Sequence, residues 1–203
     1  MIKKIVLTAI ALVSFLTMSA QAAISEDVVK ESIVKHSMEM GVDPALALSI
    51  AKKESGFKHE LKSPYGAVGV FQVLPSTAKK IGFNPYYLND NIKAGLTYYK
   101  MMYKMFGSTE LALAAYNAGP GNVKKYGGTI PPFKETKRFV NVIMQDYQNF
   151  KQNPDPAIEK YNKKVAIAEG KDVEVNNSAT PIELPDLKEI PEPREAEATM
   201  EIL

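Results

Sequence analysis

The 203-residue sequence contains no cysteine. Disulfides, thiolate nucleophiles and thiolate metal sites are therefore excluded, and packing alone must hold the fold together. Acylation at a mature N-terminal cysteine is excluded as well. Histidine is nearly as scarce: His36 and His59 are the only two. His36 fits a helix surface, and His59 stands between Lys58 and Glu60 rather than in a ligand cluster, so no metal and no cofactor is expected. The formal charge of +2 provides no strong basic field, which argues against a nucleic-acid partner. Long hydrophobic runs are missing too, apart from the uncharged stretch Ile5–Met18 near the start.

That stretch follows Met1-Ile2-Lys3-Lys4 and precedes Ser19-Ala20-Gln21-Ala22-Ala23. A positive start, a short apolar run and small residues at an A-x-A site describe a secretory signal peptide, with cleavage expected after Ala22 or Ala23. The run is too short to span a bilayer comfortably, so no stable membrane anchor is expected. Residues 1–22 are assigned to this signal. The destination is the periplasm, with full secretion as the alternative.

What remains is mostly helical. Asp27–Met40 reads as an amphipathic helix with Val28, Ile33 and Val34 on its apolar side, stopped by Gly41. Asp43 is a candidate N-cap with Pro44 at the first helical position, opening Ala45–Ala51, which is apolar for two turns and should cross the core. This helix ends near Glu54-Ser55-Gly56, with Gly56 suited to a left-handed cap. Further helices are expected from Pro75, over Asn89–Phe106, from Ser108 through Ala115, and over Lys134–Phe150. Asn117 is a candidate left-handed cap for the Ala115 helix. Strand content is limited to one short hairpin arm over Val68–Leu74. The fold class is therefore mainly α, a compact helical domain over residues 24–150.

Residues 151–203 differ. Lys160–Ala168 can continue a helix, but from Gly170 the sequence is rich in Pro and Glu and has no aromatic residue. Asp172, Glu174, Glu183, Asp186, Glu189, Glu192, Glu195, Glu197 and Glu201 face only Lys171, Lys188 and Arg194. Such a segment cannot offset its ordering entropy alone, so it is read as disordered or as lying along a protein partner.

Three stretches can carry chemistry. Glu54 sits where an apolar helix emerges; a half-desolvated carboxyl there has a raised pKa and can donate a proton near neutral pH. Position alone favours a surface helix end beside Lys52 and Lys53. Gly66–Pro75 places two glycines and Gln72 among apolar residues, allowing close backbone approach and an amide with both donor and acceptor. Read by itself it is equally a structural turn. Tyr116 and Asn117 lie where a core helix stops, at a pocket rim or as half-buried core.

Taken jointly, Glu54-Ser55, Gly69-Val70-Phe71-Gln72 with Pro75, Ala115-Tyr116-Asn117, and Glu135-Thr136 with Phe139 resemble the Slt-type soluble lytic transglycosylases, which have a goose-type lysozyme-like fold. The order of the elements matches, and the resemblance covers about Asp27–Phe150. It implies a peptidoglycan lytic transglycosylase that cleaves the MurNAc-β-1,4-GlcNAc bond without water to leave 1,6-anhydroMurNAc ends. Glu54 would be the single acid and base, with Ser55, Phe71, Gln72, Tyr116, Asn117 and Phe139 orienting substrate or acid. The family pattern has Leu-Met where Val70-Phe71 stand, a change that reshapes one subsite, and usually tyrosine where Phe139 stands. Glu60 and Asp90 are the candidate second carboxylates, both in polar surroundings. Two alternatives stay open: a peptidoglycan hydrolase of the same fold, and a catalytically weak wall-binding assembly factor of a secretion system.

Overall fold

The computed structural model describes residues 24–169; the expected signal peptide and the acidic tail lie outside the described residues. Among the described residues eight helices follow one another: α1 (Glu26–Glu39), α2 (Pro44–Ser55), α3 (Pro75–Lys80), α4 (Leu88–Phe106), α5 (Thr109–Ala118), α6 (Pro120–Lys125), α7 (Lys134–Gln152) and α8 (Pro156–Ala168). Among the described residues there is no strand. The hairpin arm expected over Val68–Leu74 is reduced to isolated antiparallel bridges, Lys62 with Val68 and Val68 with Val73.

Helix α2 is the axle of the domain, lying against α1 on one side and α7 on another, while α5 lies against α4 and α7. Every residue from Ala45 to Ala51 is buried, which is why its sequence shows no polar face. Its start is built as the residues dictate. Asp43 Oδ1 accepts the Ala45 N–H at 2.9 Å, Pro44 takes the first helical position, and Gly56 closes the far end in the left-handed region at φ 58°.

The other oxygen of Asp43 accepts from the Tyr147 hydroxyl at 2.8 Å and from Lys151 Nζ at 3.1 Å, so one carboxylate both caps α2 and fastens the distal half of α7 to it. Loss of these bonds gives the first expected result. Asp43→Ala should lower unfolding stability by about 2–3 kcal/mol, since a cap and a half-buried hydroxyl's partner vanish together. Asp43→Asn, which keeps both as neutral bonds, should lose about 1 kcal/mol or less. Denaturant titration checks both.

Several local expectations change where distant residues intervene. Along α1 the buried residue is Val29 rather than Val28, which is 53% exposed, because Val29 and Ile33 stack one turn apart on the side facing α2. His36 is buried, not on the helix surface: Nδ1 pairs with Glu39 Oε2 at 2.9 Å and Nε2 meets Asn89 Oδ1 of α4 at 3.3 Å. His59 approaches the Tyr86 carbonyl through Nε2 at 3.1 Å. Helix α5 runs on through Asn117 to Ala118, so Asn117 is not a left-handed cap; Gly119 takes that place and Pro120 starts α6 at once. Helix α8 packs on α1. Asp155 caps it and pairs with Lys30 at 3.2 Å, Ala157 enters the core, and Lys160 and Lys164 both reach Glu31.

Candidate active site

Glu54 occupies the last turn of α2, one residue before Ser55, which completes the helix. The residue is half-buried, and its carboxyl makes no hydrogen bond or ion pair with any described residue. Burial pushes its pKa from the ordinary carboxyl range up to about 8; the neighbouring Lys53 pulls against this and Glu135, on the first turn of α7, adds to it. A carboxyl in that state is protonated at neutral pH and has a proton to give.

The loop beside it is built from the backbone outward. Val68 and Val73 exchange N–H···O bonds at 3.1 Å, closing a turn in which Gly69 has φ 78° and Gln72 has φ 45°. The left-handed backbone at Gln72 is costly for a residue with a Cβ, and side-chain bonds hold it in place. Gln72 Nε2 donates to the Leu61 carbonyl at 3.1 Å and to the Gly69 carbonyl at 2.8 Å. Both amide hydrogens are thus committed to the loop, and the side-chain oxygen has no partner among the described residues. The sequence allowed Gln72 both donor and acceptor roles; the geometry leaves it an acceptor.

Asn91 of α4 anchors the loop from behind, and no motif in the sequence singled it out. Fully buried, it donates to the Val68 carbonyl at 2.8 Å and the Pro85 carbonyl at 3.1 Å, and accepts the Phe71 N–H at 2.9 Å. Glycine is required at 69 because a Cβ there would lie 2.3 Å from Asn91 Nδ2. One turn along α4, Gly95 gives room to the Phe71 ring, whose Cβ would be 2.4 Å from any side chain at that position.

Phe71 therefore meets the site through its backbone. Its ring is completely buried in the core, while its carbonyl accepts the Tyr116 hydroxyl at 2.8 Å. Ser55 is also turned inward, donating to the Val70 carbonyl at 2.9 Å with the Ala51 carbonyl at 3.2 Å, so it clips the loop to α2. Asn117 Oδ1 accepts from Thr136 Oγ1 at 2.8 Å, joining the end of α5 to the start of α7. Phe139 is buried and lies nearly parallel to Tyr116, 6.5 Å between centroids and 11° between planes. Tyr98 tilts onto the other ring contact of Tyr116 at 5.2 Å. Burial, then the nearby Glu54 charge and Tyr98, hold the Tyr116 hydroxyl well above the usual phenol range, so it stays protonated.

The structure thus brings Glu54, the Gln72 loop, Tyr116 and the first turn of α7 together. Ser55, Phe71 and Phe139 form the wall behind them rather than its exposed face. Glu60 is exposed, and Asp90 Oδ2 accepts the Asn84 N–H at 3.1 Å; the carboxylate whose charge reaches Glu54 is Glu135, itself exposed. Only its place beside Thr136 in the family-like pattern hinted at this. Lys53, Tyr98 and Asn91 carried no sequence signal, since each looks like an ordinary helix residue. No group of three or more His, Asp or Glu able to hold a metal ion occurs among the described residues. A protonated carboxyl without a partner, an acceptor oxygen and a protonated phenol suit acid catalysis on a polar, hydroxyl-rich ligand.

Residues 31–139 match the family model described as the transglycosylase SLT domain. Among curated relatives, the soluble lytic murein transglycosylase of Salmonella typhimurium is 34% identical over 54% of this chain and 21% of its own length. The solved 70 kDa soluble lytic transglycosylase from Escherichia coli superposes with a TM-score of 0.54 at 28% identity, covering 63% of this chain and 25% of that one. An inactive glutamate-to-glutamine mutant of the lytic transglycosylase Slt from Pseudomonas aeruginosa gives 0.54 at 26% identity, covering 70% and 26%. The chain spans about a fifth of the length of the soluble lytic murein transglycosylases it matches.

Proposed function

Given that this chain belongs to the transglycosylase SLT domain family, we propose that it is a peptidoglycan lytic transglycosylase with Glu54 as both acid and base. The observation carrying this reading is the state of that carboxyl: half-buried, without a hydrogen-bond or ion-pair partner, and held at about 8 chiefly by burial. The names of the curated relatives support the substrate, and the Pseudomonas relative's inactivity as a glutamate-to-glutamine mutant supports an indispensable carboxyl.

Glu54 gives its proton to the oxygen joining N-acetylmuramic acid to N-acetylglucosamine as the bond to C1 breaks. Positive charge develops at C1, where the substrate's own acetamido oxygen stabilises it. The glutamate, now ionised, takes the proton of the muramic C6 hydroxyl, and O6 closes on C1 to form the 1,6-anhydro ring. One carboxyl serves both steps, and no water enters the product. Gln72 accepts from a sugar N–H or O–H, and Tyr116 holds the loop beside the acid. The signal-like sequence over residues 1–22 supports action in the periplasm on glycan strands, and the acidic segment after Gly170 supports contact with a protein partner.

A hydrolytic reading draws on Glu135, a second carboxylate within electrostatic reach that could activate water. Digestion of purified sacculi by the full chain separates the two. Muropeptides lighter by one water, carrying anhydro ends, are expected; reducing ends that accept borohydride would instead establish hydrolysis. Binding without any released product would leave the wall-binding factor as the answer.

A further inference from the structure

Glu54 must carry a negative charge between its two proton transfers, inside a site whose burial disfavours charge. Three of the hydrogen-bond donors near it are already committed within the described residues. Tyr116 donates to the Phe71 carbonyl, Ser55 to the Val70 carbonyl, and Gln72 to the carbonyls of Leu61 and Gly69. Position 139, where a tyrosine would bring a hydroxyl, holds a phenylalanine.

One cation is left. Lys53 Nζ lies over the Phe139 ring, 5.3 Å from its centroid, and that ring is itself stacked on Tyr116. The ring face attracts an ammonium and keeps a long side chain from wandering into solvent. Lys52, by contrast, turns to Asp146 of α7 and to Phe150, away from this stack. The charged or titratable groups set around Glu54 are therefore Lys53 on α2, Glu135 on α7, and Tyr116 on α5 with Tyr98 of α4 behind it.

We propose that Lys53, seated on the Phe139 ring, is a positioning residue that supplies the counter-charge for ionised Glu54, in place of a hydroxyl donor. The idea rests on Glu54 being the acid and base. Its electrostatic sign agrees: Lys53 pulls the Glu54 pKa down while burial and Glu135 push it up. With Lys53 gone, the carboxyl holds its proton more tightly, so donation to the glycosidic oxygen becomes harder even though more of the enzyme is protonated.

The test is the pH profile of turnover for the full chain and its Lys53→Met and Lys53→Arg variants, with melting temperatures measured alongside. In Lys53→Met the descending alkaline limb should move up by about one pH unit. Its kcat should fall roughly tenfold with KM little changed, the equivalent of that unit in free energy. Lys53→Arg, which keeps a cation over the ring, should retain both the limb and the rate. An unmoved limb in Lys53→Met would overturn the proposal, as would a loss confined to KM or one matched by a fallen melting temperature. Glu54→Gln keeps the two questions apart. If it stays active, the assignment of the acid fails; if it is dead while Lys53→Met behaves as the parent, only the role of Lys53 fails.

Discussion

Glu54→Gln is expected to abolish turnover of sacculi and, at the same time, to make the protein more stable above neutral pH. The first effect should be a loss of about 10³-fold or more, because in the proposed reaction one group performs both proton transfers and glutamine can perform neither. The second follows from the same burial. Glu54's folded pKa of about 8 is above its ordinary value of 4.5, so the folded state binds the proton more tightly than the unfolded chain does. Stability from this group is fully present below the unfolded value and is lost as pH rises through the folded one. Glutamine removes that dependence. At pH 9 the variant should be stabler by roughly 2 kcal/mol, allowing for the carboxyl's residual contact with water, and should melt about 5 °C higher. Near pH 4 the two proteins should melt together. Thermal unfolding followed from pH 4 to 9 checks this; a gap independent of pH would contradict a strained, buried carboxyl.

Asn91→Ala is expected to be the most damaging change away from the acid itself. The substitution leaves the Pro85 carbonyl and the Phe71 N–H without partners in a buried place, and takes from the Val68 carbonyl one of its two donors, the Val73 N–H remaining. Each orphaned group costs about 1–3 kcal/mol, and partial relaxation should leave a total near 4 kcal/mol. The turn would also lose the contact that holds Gly69 and Gln72 in left-handed conformations, so activity should fall at least tenfold even where the protein remains folded. Asn91→Asp keeps the acceptor for Phe71 but sets a carboxylate against two carbonyls, and should rescue neither stability nor rate. Denaturant midpoints together with turnover at a temperature well below the transition measure both effects.

These sites show which parts of the molecule the sequence displays and which it conceals. Caps are written locally: Asp43 before Pro44, Gly56 after Ser55 and Ser108 at the start of α5 were readable because the residue and the bond it makes lie within four positions. The burial of α2 was readable because Ala45–Ala51 is apolar at every position but Ser49, which leaves no solvent face. Asn91 was not, since its three partners lie 6, 20 and 23 residues away and a lone asparagine in an amphipathic helix looks like its polar side. His36 was misplaced for the same reason, its pocket being completed by Asn89 of α4. Phe71, grouped with the substrate-orienting residues, proved to be a core ring because Gly95 opened a space for it from another helix. The motif residues converge on one candidate site, while the side chains that shape its wall are set by tertiary pairing.

The inward turn of Gln72 has a consequence for chemical selectivity. With both amide hydrogens fixed on the loop's own carbonyls, an approaching sugar meets only a lone pair at that point. For the proposed glycan substrate, recognition here rewards what the ligand can give. An unmodified hydroxyl or an acetamido nitrogen brings a hydrogen to the encounter, whereas an esterified oxygen brings lone pairs against lone pairs. A wall that O-acetylates its sugars would thus be read as foreign by this loop without any steric clash.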